Sequence, residues 1–118
     1  MHDNIQPQTW DQLPWESLNP LLQRQMVYGE QAMISRIRLK KGTQVPEHSH
    51  PNEQIAYIVE GKLKFTLAGR DIVASAGQVL VIPGGVPHSA EALEDTLNLD
   101  VFAPPRQDWI RKEDAYLR

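Results

Sequence analysis

The segment HSHPNEQ, residues 48–54, places two histidines one residue apart and follows them with an acid and an amide. Residues two apart on an extended strand project to the same side, so His48 and His50 can share one ion. A third histidine, His88, ends the later segment GQVLVIPGGVPH. Imidazole nitrogen is a common ligand of first-row metals, although paired histidines can also be plain surface residues. His2, in the polar start of the chain, is given no role.

The acid and the amide that follow the histidine pair, Glu53 and Gln54, compete for the same position in such a site. Adjacent strand residues point to opposite faces, so only one of the two can turn toward the histidines. A carboxylate would offset part of the charge of a cation. An amide oxygen is a weaker ligand and would leave that charge uncompensated.

A second candidate constellation lies in LNLDVFAPPRQDW, residues 97–109. One strand face carries Asn98, Asp100 and Phe102, and the other carries Leu97, Leu99 and Val101. Asp100 could face solvent, or it could face a barrel interior while the leucines pack against a partner chain or the N-terminal arm. Parity leaves both open, but a nearby cation makes an inward carboxylate tolerable because it favours the charged form.

Arg106 follows two prolines that fix the direction of the chain at the end of this strand. Its guanidinium could grip a substrate carboxylate in two places. The alternative is an ordinary surface arginine near the start of a helix.

The elements that must position these residues are short strands. The segments AMISRIRLK (32–40) and KLKFTL (62–67) alternate apolar and polar residues, which predicts half-buried strands. Gly61 divides KLKFTL from the apolar run QIAYIV, which suggests a hairpin. GQVLVIPGGVPH predicts a short buried strand and a turn, TLNLDVFAPP another strand, and RQDWIRKEDAYL a possible helix. Many short strands at close spacing indicate a β-sandwich or barrel.

Composition excludes several classes of function. The chain has 118 residues, which predicts one domain, and its lack of cysteine excludes disulfides, thiolate metal sites and cysteine nucleophiles. A net charge of −3 without a basic block argues against nucleic acid. No apolar run approaches a membrane span. The polar start MHDNIQPQTW lacks a secretory apolar core, so a cytoplasmic protein is expected.

Two blocks of the chain resemble the two motifs of the cupin superfamily. The first reads Gly42, His48, His50, Gln54 and Gly61, and the second reads Gly77, Pro83, Gly85 and His88. The resemblance implies an all-β fold, a cupin-type antiparallel β-barrel or jelly roll with a metal inside. It makes residues 1–20 an N-terminal arm, 21–105 the barrel and 106–118 a C-terminal tail. The motif spacing selects Gln54 as the fourth ligand and turns Glu53 outward. The alternative is that Gln54 only hydrogen-bonds near the metal and that water completes the coordination sphere. Ala92 stands where many cupins carry asparagine.

The combination of HSHPNEQ, YIVEGKLKFTL, GGVPHSA and LDVFAPPRQDW resembles the KdgF-type cupins of pectin degradation. That resemblance implies that His48, His50, Gln54 and His88 ligate one divalent metal ion per chain: nickel, zinc, iron, cobalt or manganese. It gives Asp100, Phe102 and Arg106 catalytic roles. The implied activity converts 4,5-unsaturated uronates from pectin or alginate into linear 4-deoxy-5-keto uronates.

Two other functions remain open at this point. One is a metal-dependent dioxygenase, and the other is a non-catalytic cupin that binds a sugar or another small molecule. The expected partner in the main reading is a small anionic sugar, with neither nucleic acid nor membrane. The outward face Leu97, Leu99 and Val101 also predicts a homodimer, because large exposed apolar patches are unusual on monomers.

Overall fold

The computed structural model describes residues 5–118, so His2 lies outside the described part of the chain. Within that range the chain forms ten strands and very little helix. The strands are β1 (Glu16–Asn19), β2 (Leu22–Tyr28), β3 (Met33–Leu39), β4 (Gln44–His48), β5 (Glu53–Glu60), β6 (Lys62–Leu67), β7 (Arg70–Ser75), β8 (Val79–Ile82), β9 (His88–Ala92) and β10 (Thr96–Ala103). One helical turn, α1 (Gln107–Ile110), and two 3-10 turns, Trp10–Gln12 and Ala115–Leu117, complete the described elements.

The strands form two antiparallel sheets. A six-stranded sheet has the order β1-β2-β3-β10-β5-β8, and a four-stranded sheet has the order β4-β9-β6-β7. The apolar faces of the two sheets meet in one core, which is the jelly-roll arrangement that the sequence predicts. β10 lies in the middle of the larger sheet, paired with both β3 and β5. Its inward side chains are therefore surrounded by protein on both sides.

The alternation read from the sequence correctly identifies the inward faces of β3 and β6. Met33, Ser35 and Leu39 are buried on β3, and Leu63 and Phe65 are buried on β6. Strand side chains alternate between faces, so polar residues such as Arg38 remain on the outer surface. The inward faces of these two strands of the jelly roll thus follow a simple period of two.

The hairpin predicted around Gly61 is wrong. β5 belongs to the six-stranded sheet and β6 to the four-stranded sheet, so the chain crosses from one sheet to the other at this glycine. Gly61 has φ +94°, and a Cβ there would collide with the backbone of Asp95 and Thr96. The hairpin lies one strand later, between β6 and β7.

The prediction that GQVLVIPGGVPH contains a buried strand holds for only one face of β8. Val79 is 59% exposed and Val81 is 54% exposed, whereas Leu80 packs against the core and Ile82 is buried in it. β8 is an edge strand of the larger sheet, with β5 as its only pairing partner within residues 5–118. Val79 and Val81 therefore lie on the outer face of the sheet. A short apolar run in the sequence does not show whether one or both faces of a strand are buried.

The ends of the chain pack closely on the barrel. The segment preceding β1 lays Trp10 and Trp15 over arginines of β3, with the guanidinium of Arg38 4.0 Å from the Trp15 ring. β1, within the expected N-terminal arm, joins the larger sheet as an edge strand. The tail 106–118 forms only α1 and a 3-10 turn where a longer helix was possible.

A buried ion pair fixes the tail on the barrel. Arg24 of β2 donates to Asp114 through Nη1 at 2.7 Å, and both side chains are essentially inaccessible to solvent. The other terminal nitrogen of Arg24 donates to Glu16 at 2.8 Å. Removing one partner of a buried pair leaves an uncompensated charge, so this contact strongly specifies where the tail lies.

No helix within residues 5–118 is long and apolar enough to cross a bilayer.

Candidate metal centre

Three histidines meet where the two sequence motifs come together. His48 ends β4 and pairs in register with His88 at the start of β9, and His50 lies in the loop that follows β4. The Pro-Gly-Gly turn before His88 packs on this loop, because Gly85 N–H donates to the His50 carbonyl at 2.8 Å. A Cβ at Gly84 would collide with the Pro51 carbonyl. The glycines therefore allow the two loops to approach closely.

The metal-binding nitrogens of these histidines converge. One ring nitrogen from each of His48, His50 and His88 lies within 4.8 Å of the other two. The ring centroids of His48 and His88 are 4.4 Å apart, and those of His50 and His88 are 5.0 Å apart. Such a group could hold one metal ion.

Backbone carbonyls set the tautomer of every histidine in the group. The Nδ1 atoms of His48, His50 and His88 contact the carbonyl oxygens of Pro46, Asn52 and Val86 at 2.8, 3.0 and 2.8 Å. A carbonyl only accepts, so each Nδ1 carries the proton and each Nε2 keeps its lone pair. Three lone pairs are thus available to a single ion.

The histidines are neutral at ordinary pH. Burial, with a smaller contribution from the positive charge of Arg106, lowers the pKa of His48 and of His50 to about 4. Burial likewise lowers the pKa of His88. A ligand imidazole must be deprotonated, so these rings need lose no proton to bind a cation near pH 7.

Gln54 of β5 faces the same point, and its neighbour Glu53 faces solvent. The Gln54 side-chain oxygen is 3.2 Å from His50 Nε2, and its amide nitrogen donates to Asp100 Oδ1 at 3.0 Å. Since His50 Nε2 has no proton, two acceptor atoms face each other across that distance. His88 Nε2 is buried without a hydrogen-bond partner within residues 5–118. A cation bound between these atoms would satisfy all of them, so the donor set fits a divalent metal.

Asp100 points inward, which settles the alternative that parity left open. It is 3% exposed on β10 beside Gln54, and Leu99 and Val101 turn to the outer face. Burial raises the pKa of the Asp100 carboxyl to about 6, while hydrogen bonds from Asn98 and Gln54 and the charge of Arg106 act to lower it. A buried carboxyl that titrates this close to neutrality can both accept and release a proton.

Phe102 and Arg106 form the wall next to the histidines. The Phe102 ring is 5.7 Å from the His50 ring, and it is 1% exposed. Arg106 is equally buried, with its guanidinium 5.0 Å from Phe102 and 4.6 Å from Trp109. It is therefore an interior residue and not an ordinary surface arginine.

Arg106 already holds an internal carboxylate. Its Nε and Nη2 atoms donate to the two oxygens of Asp108 at 2.9 and 2.7 Å. Burial opposes the charge of Arg106, but the bonds to Asp108 and Tyr116 raise its pKa above the usual value. The fork that the sequence assigns to a substrate carboxylate is thus occupied on one edge by Asp108.

The tail adds residues that sequence reasoning missed. The Tyr116 ring stacks on His48 at 4.6 Å, and its hydroxyl oxygen accepts from Arg106 Nη2 at 2.6 Å and Trp109 Nε1 at 3.2 Å. Asn98 was placed by the strand alternation on the same face as Asp100. Its side-chain oxygen is buried without a hydrogen-bond partner within residues 5–118. No spacing in the tail signals that Tyr116 returns to the histidines, because the irregular turn after α1 brings it there.

A cavity of about 60 Å³ extends from these groups into the barrel. Its polar end contains His48, Gln54, His88 and Asp100, and leucines such as Leu63 line its apolar end. Neutral ligands leave the charge of a bound divalent ion uncompensated, and Arg106 adds further positive charge nearby. The site therefore suits an anionic ligand.

Comparison with known proteins agrees with this geometry. Residues 35–103 match the family model described as Cupin domain. The chain is 25% identical over 103 residues to the pectin degradation protein KdgF of Dickeya dadantii, covering 85% of this chain and 94% of that protein. It is 32% identical over 82 residues to an oxalate-binding protein of Thermotoga maritima, covering 69% of this chain and 65% of that protein. The structure of KdgF from a Halomonas species superposes with a TM-score of 0.81 at 31% identity, covering 86% of this chain and 96% of the other.

The first prediction concerns metal binding. Replacing His88 by Ala removes one of three converging lone pairs, and we expect metal affinity to fall by about 100-fold or more. Calorimetric titration of the metal-stripped protein with nickel or zinc measures this. Glu53→Gln changes an outward neighbour of Gln54 and should bind as the wild type does. Equal affinity of His88→Ala and the wild type would remove His88 from the site.

The second prediction uses the raised pKa of Asp100. In the metal-free protein the folded pKa is about 6 and the ordinary value is 3.8, so the folded state binds more protons between these values. Stability is therefore lost as pH rises through this window. Asp100→Asn should stabilise the metal-free protein at pH 7 by on the order of 3 kcal/mol, with no gain near pH 3.5.

Urea unfolding of the stripped proteins at both pH values tests this shift. Asp71→Asn, at an exposed position on β7, is the matched control and should show no pH-dependent gain. A less stable Asp100→Asn protein at pH 7 would mean that the charged carboxylate stabilises the metal-free fold.

Proposed function

Because the chain belongs to the cupin domain family, we propose that it is a metal-dependent enzyme that opens 4,5-unsaturated uronate monosaccharides. The products are linear 4-deoxy-5-keto uronates, and the substrates come from pectin or alginate. The observation that carries this proposal is the buried Asp100, bonded to Gln54 beside three neutral histidines. The similarity to two KdgF proteins supports the choice of substrate.

The proposed centre holds one divalent cation per chain on His48, His50, Gln54 and His88. Nickel, zinc, iron, cobalt and manganese all accept imidazole and amide oxygen ligands. When bound, the cation attracts the uronate carboxylate and acts as a Lewis acid on nearby oxygen. The reaction needs no redox change, so the ligand set need not select iron.

Asp100 is the proposed acid and base. As the ring opens, the C1 hydroxyl loses a proton, the C1–O5 bond breaks, and C4 gains a proton as the enol becomes a ketone. The substrate and product are isomers, so one group that takes a proton and returns one satisfies the balance. Gln54 and Asn98 hold the Asp100 carboxyl by hydrogen bonds, which fixes the direction of transfer.

Phe102 and Arg106 complete the proposed site. The Phe102 ring walls the cavity beside His50, positions the sugar and excludes bulk water. Arg106 contributes positive charge that favours an anionic ligand. Asp108 occupies one edge of its guanidinium, so a substrate carboxylate would have to approach from another side.

The third prediction tests this activity directly. The metal-loaded protein should speed the loss of the conjugated double bond of a 4,5-unsaturated uronate above the spontaneous rate, as followed by ultraviolet absorbance. Asp100→Asn should lower kcat by about 100-fold to 10,000-fold while metal content is unchanged, because it removes the proton carrier and keeps the shape. Asp71→Asn should match the wild type. A wild-type rate equal to the spontaneous one would sink the proposal.

A second candidate function is binding of a small dicarboxylate such as oxalate without turnover. The cavity of about 60 Å³ has room for a few water molecules, so a sugar ring needs a wall side chain to move, whereas oxalate needs less space. The 32% identical relative is an oxalate-binding protein. Tight oxalate binding by the metal-loaded protein, together with no uronate turnover, would favour this candidate.

We propose that a second copy of the chain covers the outer face of the larger sheet. The paired rows of β8, β5, β10 and β3 place Val81, Ile55, Val101 and Ile34 side by side on that face. Val79, Tyr57 and Val59 extend the exposed apolar area. β8 is a free edge, and the same edge on a second copy can pair with it around a two-fold axis.

The fourth prediction concerns this homodimer. The double substitution Val79→Lys and Val81→Lys should shift the solution mass from twice 13.4 kDa to 13.4 kDa, because charge on this face opposes its burial. Light scattering after gel filtration measures the mass. Val73→Lys changes an equally exposed valine on the other sheet and should leave the dimer intact. A monomeric wild type would contradict the proposed interface.

A further inference from the structure

We propose that the Tyr116 hydroxyl is the hydrogen-bond and proton donor that an anionic ligand meets in the cavity, and that Arg106 positions this hydroxyl. The proton-donating part of the inference rests on the proposed uronate reaction. The hydrogen-bonding part rests on the contacts of the tail alone. Tyr116 belongs neither to the two sequence motifs nor to the β10 segment, so this role is new to the site.

Arg106 is placed to hold a group and has little freedom to grip one that enters. Its guanidinium packs beside the rings of Phe102 and Trp109, which also contact each other, and its Nε–Nη2 edge is bonded to both oxygens of Asp108. Nη2 also donates to the Tyr116 oxygen at 2.6 Å. An arginine that is buried, packed against two rings and bonded along one edge acts chiefly through the groups that it already contacts.

The Tyr116 hydroxyl has its proton free to donate. Its oxygen accepts from Arg106 Nη2 and, at 3.2 Å, from Trp109 Nε1. Both are donors only, so neither can receive the phenol proton. The described residues 5–118 supply no acceptor for that proton, and Tyr116 lines the cavity that contains His48 and Asp100. A ligand oxygen or carbon centre with available electrons is a suitable acceptor.

The position of Tyr116 is fixed from several sides. Its ring stacks on His48, and the 3-10 turn that carries it packs on β4. The neighbouring residues are tied down as well, because Asp114 pairs with Arg24 and the Leu117 carbonyl accepts from Asn19 at 2.9 Å. A donor held in this way needs little reorganisation when it transfers a proton.

The proposed step refines the proposed function: Asp100 remains the base, and Tyr116 replaces it as the acid that gives a proton to C4. Asp100 takes the proton of the C1 hydroxyl, the freed electron pair forms the C1 carbonyl, and the C1–O5 bond pair moves to O5. The resulting enolate forms the C5 ketone as C4 takes the phenol proton of Tyr116. Solvent then returns a proton to the phenolate while Asp100 loses its own, so atoms and electrons balance without an oxidant.

The fifth prediction separates the hydroxyl from the ring. In the metal-loaded protein, Tyr116→Phe should lower kcat on the unsaturated uronate by about 100-fold or more with a smaller change in KM. It should also weaken binding of glucuronate, a saturated uronate that cannot react, by about tenfold or more in calorimetric titration, because a hydrogen bond to a charged group is lost. Tyr28→Phe, at an exposed tyrosine at the end of β2, is the matched control and should change neither value.

A double-mutant comparison of kcat tests whether Arg106 positions the Tyr116 hydroxyl. Arg106→Lys keeps the charge but loses the planar fork, so it should lower kcat in the wild-type background and have much less effect in the Tyr116→Phe background. A general structural role would lower kcat by similar factors in both backgrounds. Equal factors would therefore overturn the positioning role.

The outcomes distinguish this inference from the proposed function. If the wild type does not exceed the spontaneous rate, the uronate reaction and the proton step both fail, and glucuronate binding then decides the hydrogen-bonding role. Weaker glucuronate binding by Tyr116→Phe supports that role. Equal affinity, or no binding by either protein, overturns it. If the wild type turns over and Tyr116→Phe matches its kcat, the proton-donor assignment is wrong.

Discussion

The structure around the site depends on one electrostatic constraint, the convergence of three unprotonated imidazole nitrogens. Backbone carbonyls hold the Nδ1 protons of His48, His50 and His88, so their Nε2 lone pairs face one another within 4.8 Å. Lone pairs brought together in a buried place repel, and burial also prevents protonation from relieving the repulsion. A cation relieves it. The close loop packing at Gly84 and Gly85 makes sense as the framework that holds this otherwise unfavourable arrangement.

Gln54 shows why an amide suits the fourth position. Its oxygen faces the histidine lone pairs while its nitrogen donates to Asp100. A glutamate at this position could not donate, and it would place a second carboxylate about 3 Å from Asp100, where like charges strongly disfavour joint ionisation. The amide thus presents its oxygen to the space between the histidines and donates its N–H to Asp100. It leaves Asp100 free to change its protonation state. In the proposed metal centre, a neutral fourth ligand and a separate acid on β10 are two consequences of one choice of residue.

Local rules predicted much of the fold and which residues share a strand face, and failed where contacts are non-local. The period of two separates Glu53 from Gln54 and groups Asn98, Asp100 and Phe102. Parity could not tell whether Asp100 faces inward, because both faces of β10 carry apolar residues. The crossing at Gly61 looked like a hairpin because a positive-φ glycine serves both kinds of connection. Asp108 and Tyr116 carried no signal, since their partners are set by the path of the tail.

The tail belongs to the site, although the sequence marks it as a separate segment after residue 105. Trp109 lies between two buried arginines, 4.5 Å from Arg24 and 4.6 Å from Arg106. Arg24 binds Asp114 and so anchors the tail to the barrel, while Arg106 binds Asp108 and Tyr116 beside the histidines. Each arginine is paired with an acid of the tail, so both guanidinium groups can be buried in one wall. The same contacts that secure the end of the chain therefore also orient the Tyr116 hydroxyl, and stability and ligand recognition cannot be changed independently in this wall.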